Sequence, residues 1–425
     1  MKSCLLFSIG PVPSKNFKVV EGGGLRCWGL AEGFVKNGMK VTIATRDVFP
    51  QAGDENELNL PIINWSPASK ETFSKLLASF DAVVVSYCGG DMTELVLECI
   101  PDHVQLILDC YVPIYVEVSA RDSKDKKLEY DNYDRDVRNW GMALGRGDLI
   151  ICANQSQKEF YIGVLSALGR INPLTYAEEM VIVVPFGIEE APPKVKSHPL
   201  TEQGSIQKED FVVLWFGGLY PWFSILGLIQ AFELIHTNPT NRHIKLVVVG
   251  GKNPFNDHPD FVKQYKEVVQ YCAERKLSDY IIFKDWVDYQ DRFDWYNEAE
   301  VIISLNKPGK ENRLSWRTRV MDYVWGSKPM ITNGGDPLSE HLLQHRAAVR
   351  IDDLKPETIR DKILSLNKTT LEEIERNLDE VRQQFFWRKA TQELCGLINQ
   401  GYRPADTGLP HSIIDRIQKR PDERK

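Results

Sequence analysis

Residues 311–329 read ENRLSWRTRVMDYVWGSKP and join two apolar runs, Val301–Leu305 and Met330–Thr332. The two runs have the length and composition of buried strands, and the segment between them has the pattern of a helix that ends at Trp325. A strand, a helix and a second strand in this order form the repeating unit of a parallel sheet. This stretch therefore predicts an α/β fold.

The same stretch concentrates positive charge at the expected start of its helix. Arg313, Arg317 and Arg319 lie close together, and Ser315 is placed to cap the helix N-terminus. Clustered guanidinium groups beside the positive end of a helix dipole suit a diphosphate. A solvated helix with an internal pair between Arg319 and Asp322 explains the same pattern. The spacing alone leaves both interpretations open.

Apolar runs alternate with amphipathic runs in both halves of the chain. In the first half, the predicted strands are Cys4–Ile9, Val41–Ala44, Ala82–Ser86, Gln105–Leu108, Leu149–Cys152 and Val181–Val184. In the second half, they are Phe211–Phe216, Ile244–Val249, Ile281–Phe283, Val301–Leu305, Met330–Thr332 and Ala348–Ile351. This alternation predicts two Rossmann-like, doubly wound domains with an interdomain cleft, and ligands at the carboxyl ends of the strands.

Composition and charge limit the class of protein. The chain has 425 residues, of which 43% are hydrophobic, enough for two cores. A formal charge of −7 argues against nucleic acid as a partner. Scattered cysteines without a CxxC pair indicate free thiols in a reducing compartment. No run approaches a membrane span, so we expect a cytoplasmic protein, with peripheral contact at the inner face of the membrane left open.

Glycine-rich turns follow the first predicted strand of each half. Gly23 and Gly24 precede the first helix, Arg26 lies in its first turn, and Gly217 and Gly218 occupy the equivalent place in the second half. Glycines at such turns let backbone N–H groups approach a phosphate or a sugar. Ordinary turn geometry, and an ordinary exposed arginine, account for the same residues.

Two carboxylates are candidates for proton transfer or for binding hydroxyl groups. Asp109 leaves a predicted strand at its carboxyl end, and Glu117 follows it. A helix cap or a turn is an equally good explanation for Asp109. No cluster of His, Asp and Glu has the spacing of a metal site, so no metal or other cofactor is expected.

Taken together, these motifs resemble the GT-B, family-4 type of retaining glycosyltransferases over most of residues 1–400. Three motifs carry the resemblance: Val-Pro-Phe-Gly at 184–187, Gly-Gly-x-Tyr-x-Trp-Phe at 217–223 and Ser-x-Arg-Thr-Arg-x-x-Asp-Tyr at 315–323. They resemble in particular a bacterial and cyanobacterial branch that includes envelope and exopolysaccharide transferases.

The resemblance implies transfer of a hexose, with glucose as the best guess, to a glycan or lipid-linked acceptor. The donor that it implies is a nucleotide sugar, for which we favour a UDP-sugar over a GDP-sugar. Asp322 matches the second acid of the family's Glu-x7-Glu motif, which binds the ribose hydroxyls. Trp286 and Val287 fall where backbone groups hold the base, and Gly23 and Gly24 fall at the glycines that line the phosphate and the sugar.

The domain boundaries follow from the two series of alternating runs and the charged, proline-containing stretch between them, and the resemblance adds the crossover helix. Residues 1–190 form an acceptor-side domain, 191–210 a linker, and 211–384 the nucleotide-sugar-binding domain. Residues 385–425 form a crossover helix, which begins near Trp387 and returns to the first domain, and a polar tail.

This chain departs from the family pattern at two places. Leu314 occupies the position of the first acid of Glu-x7-Glu, and Glu311 is the nearest carboxylate. The usual Arg and Lys after the first strand of the second domain are replaced by Gly218 and Phe223. We therefore expect the arginines of residues 311–329 to supply the charge that holds the diphosphate.

The expected mechanism assigns a role to each group. Arg317 and Arg319 stabilise the leaving diphosphate, Glu311 binds donor hydroxyls, and Asp109 or Glu117 helps to take the acceptor proton. Further donor contacts are expected from Arg26, Gly217, Gly218, Arg313, Ser315, Trp316 and Thr318. The alternatives are a sugar-nucleotide 2-epimerase, a hydrolase of the same fold, and a non-catalytic sugar-binding protein.

Overall fold

The computed structural model describes residues 1–46, 48, 50–65, 69–86, 90–119, 126–252, 254, 259–409 and 414. These residues fall into two compact units, and each has its own sheet and core. Unit 1 takes its described residues from Met1–Ser119, Asp125–Gly187 and Phe386–Lys425, and unit 2 from Ile188–Phe385.

Unit 1 contains a parallel sheet in the order β3-β2-β1-β4-β5-β6-β7. Its strands are β1 (Ser3–Phe7), β2 (Lys40–Arg46), β3 (Ile62–Trp65), β4 (Ala82–Ser86), β5 (Gln105–Asp109), β6 (Leu149–Cys152) and β7 (Val181–Val183). Its first helices are α1 (Gly22–Lys36), α2 (Lys70–Ala78), α3 (Gly90–Cys99), α4 (Ile114–Ser119), α5 (Lys126–Arg146) and α6 (Gln155–Ala167). The sheet order reverses between β1 and β4, where a doubly wound sheet opens a crevice.

Unit 2 repeats this design with a parallel sheet in the order β10-β9-β8-β11-β12-β13. Its strands are β8 (Phe211–Phe216), β9 (Ile244–Val249), β10 (Ile281–Lys284), β11 (Val301–Ser304), β12 (Met330–Thr332) and β13 (Val349–Arg350). Its helices are α7 (Pro199–Glu202), α8 (Ile225–Ile235), α9 (Pro259–Glu274), α10 (Arg292–Asn297), α11 (Lys310–Leu314), α12 (Thr318–Trp325), α13 (Pro337–Gln344), α14 (Pro356–Ser365) and α15 (Lys368–Val381). The order reverses between β8 and β11.

The last helices, α16 (Trp387–Ala390) and α17 (Gln392–Gln400), belong to unit 1. They pack on α1, where Gly29 makes room for the Trp387 indole: a Cβ at Gly29 would lie 1.9 Å from Trp387 Cε2. Such a distance is far below van der Waals contact, so α1 accepts this tryptophan only because glycine has no side chain.

The predicted α/β class is confirmed. Every predicted strand is present, with ends that differ by no more than two residues, because central strands of a parallel sheet are buried on both faces and read as continuous apolar runs. The edge strand β3 was missed, since only Ile62 of its four residues is buried. Within the described ranges, no helix has the length and hydropathy that crossing a bilayer requires.

Candidate functional site

Residues that follow β8, β9 and β10 lie together in unit 2, and β8 borders the place where the sheet order reverses. Gly217 has a backbone φ of +100°, which favours glycine, and a Cβ there would lie 3.3 Å from Arg319 Cζ. A Cβ on Gly250, after β9, would lie 3.7 Å from Gly217 Cα and 3.2 Å from Trp286 Cε3. The structure therefore brings the turn after β8 together with Trp286 and Arg319, three predicted parts of one site.

Arg319 is held by a backbone carbonyl and an aromatic ring. Its Nη2 donates to Gly218 O at 2.8 Å, and its guanidinium carbon lies 4.2 Å from the centre of the Phe223 ring. Its side chain forms no ion pair within the described part of the chain, and desolvation lowers the pKa of the guanidinium. A partly desolvated cation with unused donors is suited to bind an anion.

Arg317, in contrast, already has an acidic partner. Its Nη1 and Nη2 donate to Glu311 Oε1 and Oε2 at 2.9 and 2.8 Å, and Nη2 also donates to Asn312 Oδ1 at 2.8 Å. Both side chains of the ion pair are largely buried, Arg317 at 6% exposure and Glu311 at 11%. The pair brings together two predicted site residues, but it also balances the Arg317 charge.

The sequence predicted that Ser315 caps the helix that carries these arginines, and this prediction is wrong. It ends α11 in an extended conformation, and its Oγ donates to Asn312 O at 3.1 Å. The following helix begins at Thr318, with Arg317 at its N-cap position and no side-chain capping bond. A helix capped by Ser315 would begin at Trp316, two residues before the observed start, because the loop between α11 and α12 continues to Arg317, which pairs with Glu311.

Three further predicted site residues have other surroundings. Arg313 is exposed in the last turn of α11. Trp316 packs its ring against Phe385, with the ring centres 6.0 Å apart. Val287 follows Trp286 in the loop after β10 and is half-buried.

Asp322 is paired with an arginine that the sequence did not indicate. Its Oδ1 accepts from Arg292 Nε at 2.9 Å, and its Oδ2 accepts from Tyr296 OH at 3.2 Å. The local pair between Arg319 and Asp322 is not formed. Arg292 lies 30 residues earlier in the chain, so no local spacing could have identified it.

In unit 1, Arg26 and Asp109 form a fully buried ion pair. Both side chains have 0% exposure, and Arg26 Nε lies 3.0 Å from Asp109 Oδ2. Arg26 Nη2 donates to Asp109 Oδ1 at 3.0 Å, and Ser86 Oγ donates to Oδ2 at 3.3 Å. Because neither carboxylate oxygen reaches solvent, we do not retain a proton-transfer role for Asp109. The alternative interpretation of Arg26 as an ordinary exposed arginine is excluded by its burial, and its contact with the donor stays a prediction.

Gly23 and Gly24 lie inside α1 and serve its packing. A Cβ at Gly24 would lie 1.9 Å from Pro11 O, and one at Gly23 would lie 2.2 Å from Ile9 Cγ1. The two glycines let the first turn of α1 approach the segment after β1. Their contact with phosphate or sugar stays a prediction. Glu117, on α4, is half-buried.

We expect Gly24→Ala to destabilise unit 1 by about 1–3 kcal/mol, because the new Cβ meets backbone that cannot move aside cheaply. Gly163→Ala is the matched control, since Gly163 lies within α6 and its Cβ would meet nothing within 4 Å. That change should stabilise the protein by about 0.5–1 kcal/mol. Denaturant unfolding measures both, and equal effects would contradict the packing role.

The comparisons with known proteins concern the fold. The sequence matches no protein-family model, and no curated protein matches it. Sucrose-phosphate synthase from Thermosynechococcus elongatus has a similar structure, with a TM-score of 0.64 and 14% identity over 94% of this chain and 99% of that chain. Anabaena Alr3699/HepE in complex with UDP-glucose is equally similar, with a TM-score of 0.64 and 14% identity over 94% and 100%.

A variant of S. aureus TarM in complex with UDP also matches, with a TM-score of 0.61 and 10% identity over 94% of this chain and 100% of that chain. Identities this low establish the fold alone. That fold is the GT-B architecture of two Rossmann-like domains.

Proposed function

We propose that this protein is a retaining glycosyltransferase that moves a hexose from a UDP-linked donor to a glycan or lipid-linked acceptor. The observation that carries the proposal is the Arg319 guanidinium, which lacks an ion-pair partner in the described ranges and lies where the unit 2 sheet reverses its order. Structures of the same fold include a complex with UDP-glucose, which supports the choice of donor. Glucose is the sugar that we propose first.

In this reaction the bond between the anomeric carbon and the diphosphate breaks, and negative charge develops on the leaving phosphate. Arg319 would stabilise that charge directly. Its guanidinium lies on Gly218 and Phe223, the two residues that stand where the resemblance expects Arg and Lys. This contact supports the view that a cation from α12 replaces the charge missing from the turn after β8.

The remaining donor contacts are assigned to Trp286, Val287 and Glu311. Trp286 and Val287 would hold the base, because Trp286 lies against the turn after β9, beside Gly217. Glu311 would accept donor hydroxyls, since a carboxylate that receives two N–H bonds keeps lone pairs for more. Arg317 would then act by holding Glu311 in place.

The acceptor side is assigned to unit 1. Glu117 is our candidate for taking the acceptor proton, because it is half-buried whereas Asp109 is fully buried. We propose that the reaction needs no metal, since a guanidinium supplies the charge at the diphosphate. Turnover should then be unchanged after treatment with EDTA.

The first test is binding. UDP-glucose should stabilise the native protein, by about 2.7 kcal/mol at a hundredfold excess over Kd, and GDP- and ADP-glucose should do so less. A rise in Tm with free glucose but with no nucleotide sugar would contradict the proposal and favour a sugar-binding protein.

The second test is product analysis with UDP-glucose and no acceptor. A transferase should leave most of the donor intact under these conditions. Conversion to an epimeric UDP-sugar would indicate the 2-epimerase instead. Rapid release of free glucose in equal amount to UDP would indicate the hydrolase.

A further inference from the structure

Two opposite charges lie three residues apart on α12 without pairing. Arg319 is turned towards Gly218, whereas Asp322 is turned towards Arg292 and Tyr296. Side chains at this spacing are neighbours on a helix surface and ordinarily attract each other. Each is instead held by groups from elsewhere in unit 2, so α12 presents a cation and a carboxylate at separate places.

Arg292 is fixed more firmly than an ordinary surface partner. Its guanidinium carbon lies 3.7 Å from the centre of the Tyr289 ring and 4.2 Å from that of the Trp325 ring. Its Nη1 donates to Tyr289 O at 2.8 Å, and its Nη2 lies 3.3 Å from Glu189 Oε1. Only 7% of the Arg292 side chain is exposed. A guanidinium that packs against two aromatic rings and bonds to oxygen atoms along its edge has little freedom to turn.

Tyr296 completes the arrangement and links it to the end of β8. Its side chain is buried, and its ring centre lies 4.4 Å from that of Phe216, the residue before Gly217. Burial and the nearby Asp322 raise the pKa of Tyr296 well above its ordinary value, so the phenol stays protonated and donates to Asp322.

The Asp322 carboxylate can accept further hydrogen bonds. Each Asp322 oxygen receives one protein donor, and each can accept about one more hydrogen bond. The Asp322 side chain is 22% exposed, whereas the Arg292 side chain that bonds to it is largely buried. The Arg292 guanidinium lies beside two carboxylates, those of Asp322 and Glu189, so these three side chains together keep a formal negative charge.

We infer that Arg292 and Tyr296 are positioning residues for the Asp322 carboxylate, to which the family resemblance assigns the ribose hydroxyls: the two side chains fix its orientation and leave one lone pair on each oxygen for the 2′- and 3′-hydroxyls. This inference rests on the proposed function. Nucleotides that lack the 2′-hydroxyl should then bind more weakly.

The test compares the Kd of UDP with that of 2′-deoxy-UDP by calorimetry. The native protein should prefer UDP by about 10-fold to 100-fold, the effect of one hydrogen bond to a charged acceptor. Tyr296→Phe and Arg292→Lys should each reduce this preference several-fold and change the Kd of 2′-deoxy-UDP much less. A merely structural role would weaken both ligands equally.

Tyr323→Phe is the matched control. Tyr323 is equally buried and adjacent to Asp322, but its hydroxyl donates to Phe216 O at 3.3 Å and not to the carboxylate. That variant should retain the preference for UDP. An unchanged preference in Tyr296→Phe, or an equal loss in Tyr323→Phe, would overturn the inference and leave the proposed function intact. Failure of the native protein to bind either nucleotide would overturn both.

Discussion

Replacement of Arg319 by alanine should lower the turnover of UDP-glucose by about 10²–10³-fold, the usual cost of losing one donor that stabilises developing charge. Arg319 has no ion-pair partner in the described ranges, so its removal leaves no carboxylate unbalanced there. We therefore expect kcat to fall while the free energy of unfolding changes little. Steady-state kinetics at saturating donor, with denaturant unfolding of the same samples, measure the two quantities.

Arg242→Ala is the control for the loss of one positive charge from unit 2. Arg242 is exposed and precedes β9, at the amino edge of the sheet, opposite to the edge where Gly217 lies. Its removal should leave kcat unchanged. Arg319→Lys should recover only part of the activity, because an ammonium keeps the charge but lacks the planar fork that binds two phosphate oxygens. Full turnover in Arg319→Ala would refute the assignment.

Conversion of Asp109 to asparagine should lower the free energy of unfolding by about 3–5 kcal/mol. The change keeps the shape of the side chain but leaves Arg26 as a buried cation without a counter-charge. The aromatic rings around Arg26, those of Tyr111, Phe186 and Trp387, lie 5.5 to 5.9 Å away and cannot replace a carboxylate. Urea unfolding followed by tryptophan fluorescence measures the loss.

The exposed pair of Lys127 and Asp131 is the control for this prediction. Those side chains are 80% and 55% exposed, and Asp131→Asn should cost less than about 1 kcal/mol. The double variant Arg26→Met with Asp109→Leu should regain much of the stability, because the cost comes from the unpaired charge. If Asp109→Asn were as mild as Asp131→Asn, the buried pair would not be a determinant of stability.

Local sequence patterns predicted all strands but β3 and the glycine turn of unit 2, because each of these depends on residues that are adjacent in the chain. The run Phe211–Phe216 is apolar throughout and became β8, and Gly217 adopts the left-handed backbone that favours glycine. The same local reasoning failed at Ser315, where a capping residue was expected. Ser315 instead ends α11, and α12 begins only at Thr318, so the role of Ser315 depends on how the loop between the two helices folds.

The sequence by itself determined the α/β class and the presence of three arginines near a helix start. Only the tertiary structure decided which charge is balanced within the protein. Arg317 forms an ion pair with Glu311, whereas Arg319 contacts a backbone carbonyl and an aromatic ring. It also decided that the Asp109 carboxylate is buried in an ion pair with Arg26, which lies 83 residues away in the chain. Strand formation follows the local burial pattern, but the partner of a charged side chain is set by long-range packing, which no spacing along the chain records.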